Sequence, residues 1–272
     1  MSYFKTKAII LKSQSLSEDS KIISLLTVKW GRIFAVAKGS KRLNNKFGFS
    51  LEKFTYLETQ FYQKTDQNLY TLIQAKLISS HSPIREDLKK TATALCLVEI
   101  LDLALVGKEP DLRIFLLTLK SLQLISKGYH SLYIYAFVLK LFSFLGLRIH
   151  LKNCLVCKIP IEKADCGLKP SLAQTVREQS SLTGLTKVKL SFLEGGVVCF
   201  DCSQGMKTMD LSFQMLELLR NLLYLKLNEV SKLSLSKETL KNLKGIILDN
   251  YLAYYLPSPL KSLKFYESMI EE

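Results

Sequence analysis

The chain has 272 residues, 38 basic and 24 acidic side chains, and a net charge of +14. With 48% apolar and 10% aromatic residues it can bury real cores in one large or two to three small domains, which excludes disorder as its main state. A positive surplus of this size favours polyanionic partners.

The surplus is uneven. Residues 1–80 carry 13 basic and 5 acidic side chains, net +8, against +4 over 81–153, +1 over 154–202 and +1 over 203–272. A polyanion hypothesis is therefore a claim about the first segment. The opening Met1-Ser2-Tyr3-Phe4-Lys5-Thr6-Lys7 lacks an apolar run followed by small residues, so no signal peptide is read and a cytoplasmic location is expected.

That segment reads as strands at Thr6 to Leu11, Lys21 to Thr27, Arg32 to Ala37, Phe54 to Gln63 and Tyr70 to Ser79, rich in β-branched and aromatic types. Turn-formers separate them at Lys29-Trp30-Gly31, Lys38-Gly39-Ser40 and Thr65-Asp66-Gln67-Asn68. Short strands over so few residues suggest a closed barrel of the OB type, because closure removes exposed edges.

The connection Lys38-Gly39-Ser40-Lys41-Arg42-Leu43-Asn44-Asn45-Lys46-Phe47 combines cations, amides, a hydroxyl and a glycine, the mixture that phosphate oxygens favour. Phe47 or Tyr56 is the candidate stacking face. A lysine-rich loop can be merely solvated, but the segment's charge of +8 and the barrel reading favour binding to nucleic acid. Lys38, Lys41, Arg42 and Lys46 are the leading candidates, with Arg32, Lys5, Lys7 and Lys12 on neighbouring strands as further cations. No base-reading motif is visible, so recognition by charge and stacking is expected, weakly selective and salt-sensitive.

After Pro83 the period changes to that of a helix, with Leu88, Leu95, Val98, Leu101 and Leu105 on one stripe. A second helix is expected from Asp111, as its cap, to Lys127, and a third over Ser131 to Leu147. The most apolar stretch, Leu132 to Leu147, is 16 residues long and contains Lys140, short of the about 20 apolar residues a membrane helix needs. Further helices are expected at Leu211 to Leu227 and Ser236 to Leu256, the latter ending before Pro257.

Between them, Cys154-Leu155-Val156-Cys157 and Cys199-Phe200-Asp201-Cys202 form two C-x-x-C pairs separated by 41 residues. Each pair can offer two sulfurs to one ion from one tight turn, and four thiolates make a closed tetrahedral zinc site with a structural role. A redox dithiol and unrelated buried cysteines are the weaker alternatives. Cys166 is the better read as a spectator, Cys96 as helix core, and His150 as a surface histidine. Glycine-rich nucleotide loops, nucleophile elbows and the H-x-E of zinc deaminases are absent from the sequence.

Lys5-Thr6-Lys7-Ala8-Ile9-Ile10-Leu11-Lys12, Glu18-Asp19-Ser20-Lys21-Ile22, Trp30-Gly31-Arg32-Ile33, Ala35-Val36-Ala37-Lys38-Gly39, Leu141 to Leu147, and Ser191-Phe192-Leu193-Glu194-Gly195-Gly196-Val197-Val198-Cys199 resemble, in order, the RecO family of bacterial recombination and repair proteins. Lys53 departs from the proline usual before Phe54, and the loop between the cysteine pairs looks divergent. The resemblance implies an α+β protein, an N-terminal OB-fold barrel (1–80) followed by an α-helical domain (81–153 and 203–272) with an inserted zinc-binding segment (154–202). It also implies a non-enzymatic, nucleoid-associated mediator that binds single- and double-stranded DNA and anneals complementary strands coated by single-strand binding protein. With RecR it would help load RecA. The alternative is a zinc-stabilised RNA-binding or ribosome-associated module.

Overall fold

The computed structural model describes residues 2–42, 44–63, 69–105, 107, 109–161 and 188–270. The chain divides into two compact units, Met1–Leu141 with Leu256–Glu272, and Phe142–Tyr255.

In the first unit, β1 (Ser2–Ser15), β2 (Lys21–Thr27), β3 (Gly31–Ala37), β4 (Tyr56–Gln63) and β5 (Tyr70–Ser79) form a closed barrel in the order β1-β2-β3-β5-β4. Strands β4 and β1 close it antiparallel, and the β3–β5 pair is parallel. The OB-type barrel is therefore present, and alternation along its strands decides what lies inside. Ala8, Ile10, Ile23, Leu25, Ile33, Ala35, Leu57 and Phe61 fill the interior, leaving alternate residues on the outer face.

The helix α1 (Leu88–Ala104) starts where Asp87 accepts a hydrogen bond from the Lys90 amide. Its pattern departs from the expected stripe: Leu88 is 65% exposed, while Ala92, Cys96, Leu97, Ile100, Leu101 and even Asp102 are buried. A helix covered on most sides has no single apolar stripe to read. In α2 (Leu112–Lys127) the Asp111 carboxylate accepts from the amides of Arg113 and Ile114, the cap expected from the sequence. In α3 (Leu132–Phe144), every residue from Leu132 to Leu139 is buried.

The second unit holds a three-stranded sheet in the order β7-β6-β8, made of β6 (Val188–Ser191), β7 (Gly196–Val198) and β8 (Met209–Leu211). Then come α4 (Phe213–Tyr224), capped by Ser212, the short α5 (Leu227–Val230) and α6 (Lys237–Lys244). The single helix expected over Ser236 to Leu256 is interrupted by a π-helical stretch, Gly245–Tyr251, before α7 (Leu252–Tyr255). Leu252 donates its amide to the Ile247 carbonyl five residues back, and the Asn250 side chain takes the Gly245 carbonyl at 2.6 Å. The final helix, α8 (Leu263–Ile270), belongs to the first unit.

Candidate nucleic-acid interface and metal centre

The basic connection after β3 is anchored to the turn between β1 and β2. Gly39 turns the chain at φ +68°, a left-handed conformation that L side chains resist. The Lys41 amide then donates to the Asp19 carbonyl at 3.0 Å, and the buried Ser40 hydroxyl accepts the Lys21 amide at 3.1 Å. Their side chains follow the same seam. Lys41 Nζ donates to Ser15 Oγ at 2.7 Å and to the Ser17 carbonyl at 3.0 Å, and the Arg42 guanidinium meets the Asp19 carboxylate at 2.7 Å. Lys38, Lys41, Arg42 and Lys46 are all exposed. Leu16, Asp19, Val36, Lys38, Gly39 and Arg42 border an open groove of about 390 Å³.

Asp19 is the one acid among the described residues that line that groove. Hydrogen bonds from Ser20 and Arg42 hold its carboxyl below the usual carboxylate range, so it stays charged at neutral pH.

Lys12 and Arg32 are placed differently. Both pair with Asp102 of α1, Arg32 at 2.9 Å, and Arg32 also donates to the Asp102 carbonyl at 2.6 Å. Burial pushes the Asp102 carboxyl up, but the hydrogen bonds and charges of Lys12 and Arg32 outweigh it and leave the pKa below its ordinary value. One carboxylate thus faces two cations, and a single positive charge is left over.

Phe47 is not a stacking face. It is 3% exposed and packs in the barrel core, because Asn45 Oδ1 accepts the amides of Phe47 and Gly48 and turns the loop back inward. Tyr56 is half-buried, its ring 6.1 Å from that of Phe115. Among the described residues of the barrel, the exposed aromatics are instead Tyr3 on β1, 66% exposed, and Phe34 on β3, 40% exposed; the Arg32 guanidinium lies 5.3 Å from the Phe34 ring. Alternation gives the signal for it: with Ile33 and Ala35 inward, Phe34 must point outward.

The cysteine pairs meet in the second unit. The Sγ atoms of Cys154, Cys157, Cys199 and Cys202 all lie within 4.8 Å of one another, and those of Cys157 and Cys199 are 3.9 Å apart. Zinc–sulfur bonds of about 2.3 Å in a tetrahedron place sulfurs about 3.8 Å apart, so the donor set fits such an ion. The first pair is positioned by the Leu155 amide, which donates to the Val197 carbonyl at 3.0 Å, and the second by the Ser203 amide, which donates to the Cys199 carbonyl. Burial raises the Cys154 thiol, but the backbone amides of Cys199, Cys157 and Val156 bring its pKa down to about 6. The Cys202 thiol is instead pushed up to about 12 by its hydrogen bond with Cys199 and by burial, and that of Cys157 is also raised. Without an ion, negative charge gathers on Cys154 while Cys157 and Cys202 stay protonated.

The approach of the two pairs depends on Gly196. A Cβ there would lie 2.3 Å from the His150 carbonyl oxygen, because His150 and Gly196 form a backbone bridge. The His150 side chain is exposed. Cys96 is fully buried in α1, its sulfur 3.1 Å from Ser262 Oγ, and burial pushes its thiol up to about 12. Cys166 lies outside the described residues.

Comparison with known proteins fits the order of these parts. The family Recombination protein O N terminal matches residues 1–81, and Recombination protein O C terminal matches 85–264. The chain belongs to the RecO family. It is 28% identical to DNA repair protein RecO of Desulforamulus reducens over 270 residues, covering 99% of this chain and 96% of that relative. It is 30% identical to DNA repair protein RecO of Caldanaerobacter subterraneus (97% and 98% covered) and 29% identical to that of Bacillus subtilis (97% and 94% covered). RecO membership places the chain among DNA repair proteins. Among the described residues, no helix is long and apolar enough to cross a membrane.

Proposed function

We propose that this protein is a non-enzymatic recombination mediator that binds single- and double-stranded DNA on the basic face of its barrel. It anneals complementary strands coated by single-strand binding protein, and with RecR it helps load RecA at the nucleoid. Lys38, Lys41, Arg42 and Lys46 are the phosphate contacts, with Arg32 and Lys12 adding to the field beside them. Zinc is held by Cys154, Cys157, Cys199 and Cys202 in a closed, structural site.

The observation that carries this reading is the set of exposed cations gathered on one loop of a closed barrel, beside an open groove. Their charge attracts phosphate irrespective of base sequence, the property an annealing factor needs. Family membership supplies the repair context.

Changing Lys38, Lys41, Arg42 and Lys46 together to Ala is expected to weaken DNA binding more than about tenfold at low salt. It should also flatten the salt slope by about 0.7 to 0.9 per lost phosphate contact. Unchanged affinity would remove the loop from the interface. In a second assay, the protein should speed annealing of complementary oligonucleotides coated with single-strand binding protein, with no nucleotide present. A preference for RNA that depends on the 2′-OH would instead favour an RNA-binding module.

A further inference from the structure

The exposed ring of Phe34 lies on the barrel's outer face, away from its core. On β3 the inward residues Ile33, Ala35 and Ala37 belong to the interior cluster, so Arg32, Phe34 and Val36 share the outer face. Val36 borders the groove that also holds Lys38 and Arg42. Phe34 is the next outward residue, about 7 Å along the strand from Val36 at roughly 3.4 Å per residue.

The surroundings of Phe34 are fixed in advance. Lys12, Ser24 and Phe34 occupy one cross-strand row over β1, β2 and β3. Asp102 gathers Lys12, Ser24 Oγ (3.3 Å) and Arg32 above that row. Arg32, held there by two hydrogen bonds, in turn lies 5.3 Å from the centre of the Phe34 ring. Asp102 thus orients Arg32, and Arg32 braces a ring that remains 40% exposed. Little side-chain entropy is left to lose when a ligand settles on that ring.

We infer that Phe34 is a stacking platform for an unpaired base, so that this face prefers single-stranded over duplex DNA. The inference rests on the DNA-binding reading of the basic loop. A π face accepts any base, and only an unstacked base can offer its own face in return. In a duplex both faces of each base are covered by its neighbours, so the ring gains nothing there. The groove beside Val36 holds the phosphate of the strand whose base lies on Phe34.

The test compares binding of an oligothymidylate and of a blunt duplex, by fluorescence anisotropy over a salt series. Phe34→Ala is expected to weaken single-strand binding by about 5- to 150-fold, the range for loss of one base–aromatic stack, and to leave duplex binding within about twofold. The salt slope should not move, since no charge is removed. Phe34→Tyr should bind like the parent, and Phe34→Leu, which keeps apolar bulk without the ring face, should behave like Phe34→Ala. Equal losses on both DNAs, no loss on either, or full rescue by Leu would overturn the platform. If the fourfold loop variant weakens binding while Phe34→Ala changes nothing, the platform alone fails. If the loop variant itself binds normally, the underlying reading fails.

Discussion

Asp19 is a carboxylate in a groove otherwise suited to phosphate. It occupies Arg42 at 2.7 Å, with both side chains substantially exposed, so an incoming phosphate can compete for the guanidinium. In water such an exposed pair contributes little to stability, and its larger effect is the negative charge it sets against DNA. Asp19→Asn is expected to tighten DNA binding severalfold at low salt and to steepen the salt slope by about one phosphate contact, 0.7 to 0.9. Weaker binding would instead show that Asp19 holds Arg42 in its binding posture. At this scale the sequence was uneven as a guide. The C-x-x-C spacing defined a cluster that the fold brings together, because the spacing itself fixes the local turn. The direction of Phe47 was not legible, since it depends on how Asn45 turns the loop. The need for glycine at position 196 comes from the nearby His150 backbone, which no local pattern reveals. Gly196→Ala should accordingly cost about 1 to 3 kcal/mol, read as a lower denaturant midpoint with an unchanged slope.

The strands were the elements most open to sequence reading. Each of the five expected strands overlaps an observed one, because period-two alternation with a buried interior leaves little freedom of register. Helices packed on several sides were harder, and α1 shows why. Its buried set includes polar Thr93 and Asp102, while Leu88 at its start is exposed. Its partner α8 is only eight residues long, too short to be stable alone. Glu99 of α1 compensates by accepting the amides of Lys261 and Ser262, at 3.0 and 2.8 Å, and the Ser262 hydroxyl. This carboxylate supplies, from another helix, the acceptor that unpaired amides at a helix start require. Tyr266 then anchors α8 with no exposed surface. Glu99→Ala should speed amide exchange across Leu263–Ile270 while leaving β1 to β5 unchanged. The lost hydrogen bonds should cost about 1 to 3 kcal/mol. Unaltered exchange in α8 would show that packing alone holds it.

Across the whole molecule, charge and metal are divided between segments. Most of the +14 surplus lies in the barrel segment, at +8, whereas the four cysteines lie in the unit Phe142–Tyr255. That unit's sheet has strands of only four, three and three residues, too short to be stable by pairing alone. Both cysteine pairs are tied to it, the first through Leu155 and Val197 and the second directly after β7. One ion on four thiolates would therefore close the 41-residue connection and fix the sheet edge in one step. Structural zinc sites contribute roughly 10 to 16 kcal/mol of apparent binding free energy, more than the whole stability of most domains. Purified protein is thus expected to hold one zinc per chain, and Cys154→Ser to lose it. Chelation should expose the amides of β6 and β7 to exchange while the β1 to β5 amides stay protected, because the barrel has its own closed core. DNA binding through the basic loop should survive the same treatment. Unchanged protection of β6 and β7 without metal would mean that the thiols are held by packing, and the structural role given to zinc would fall.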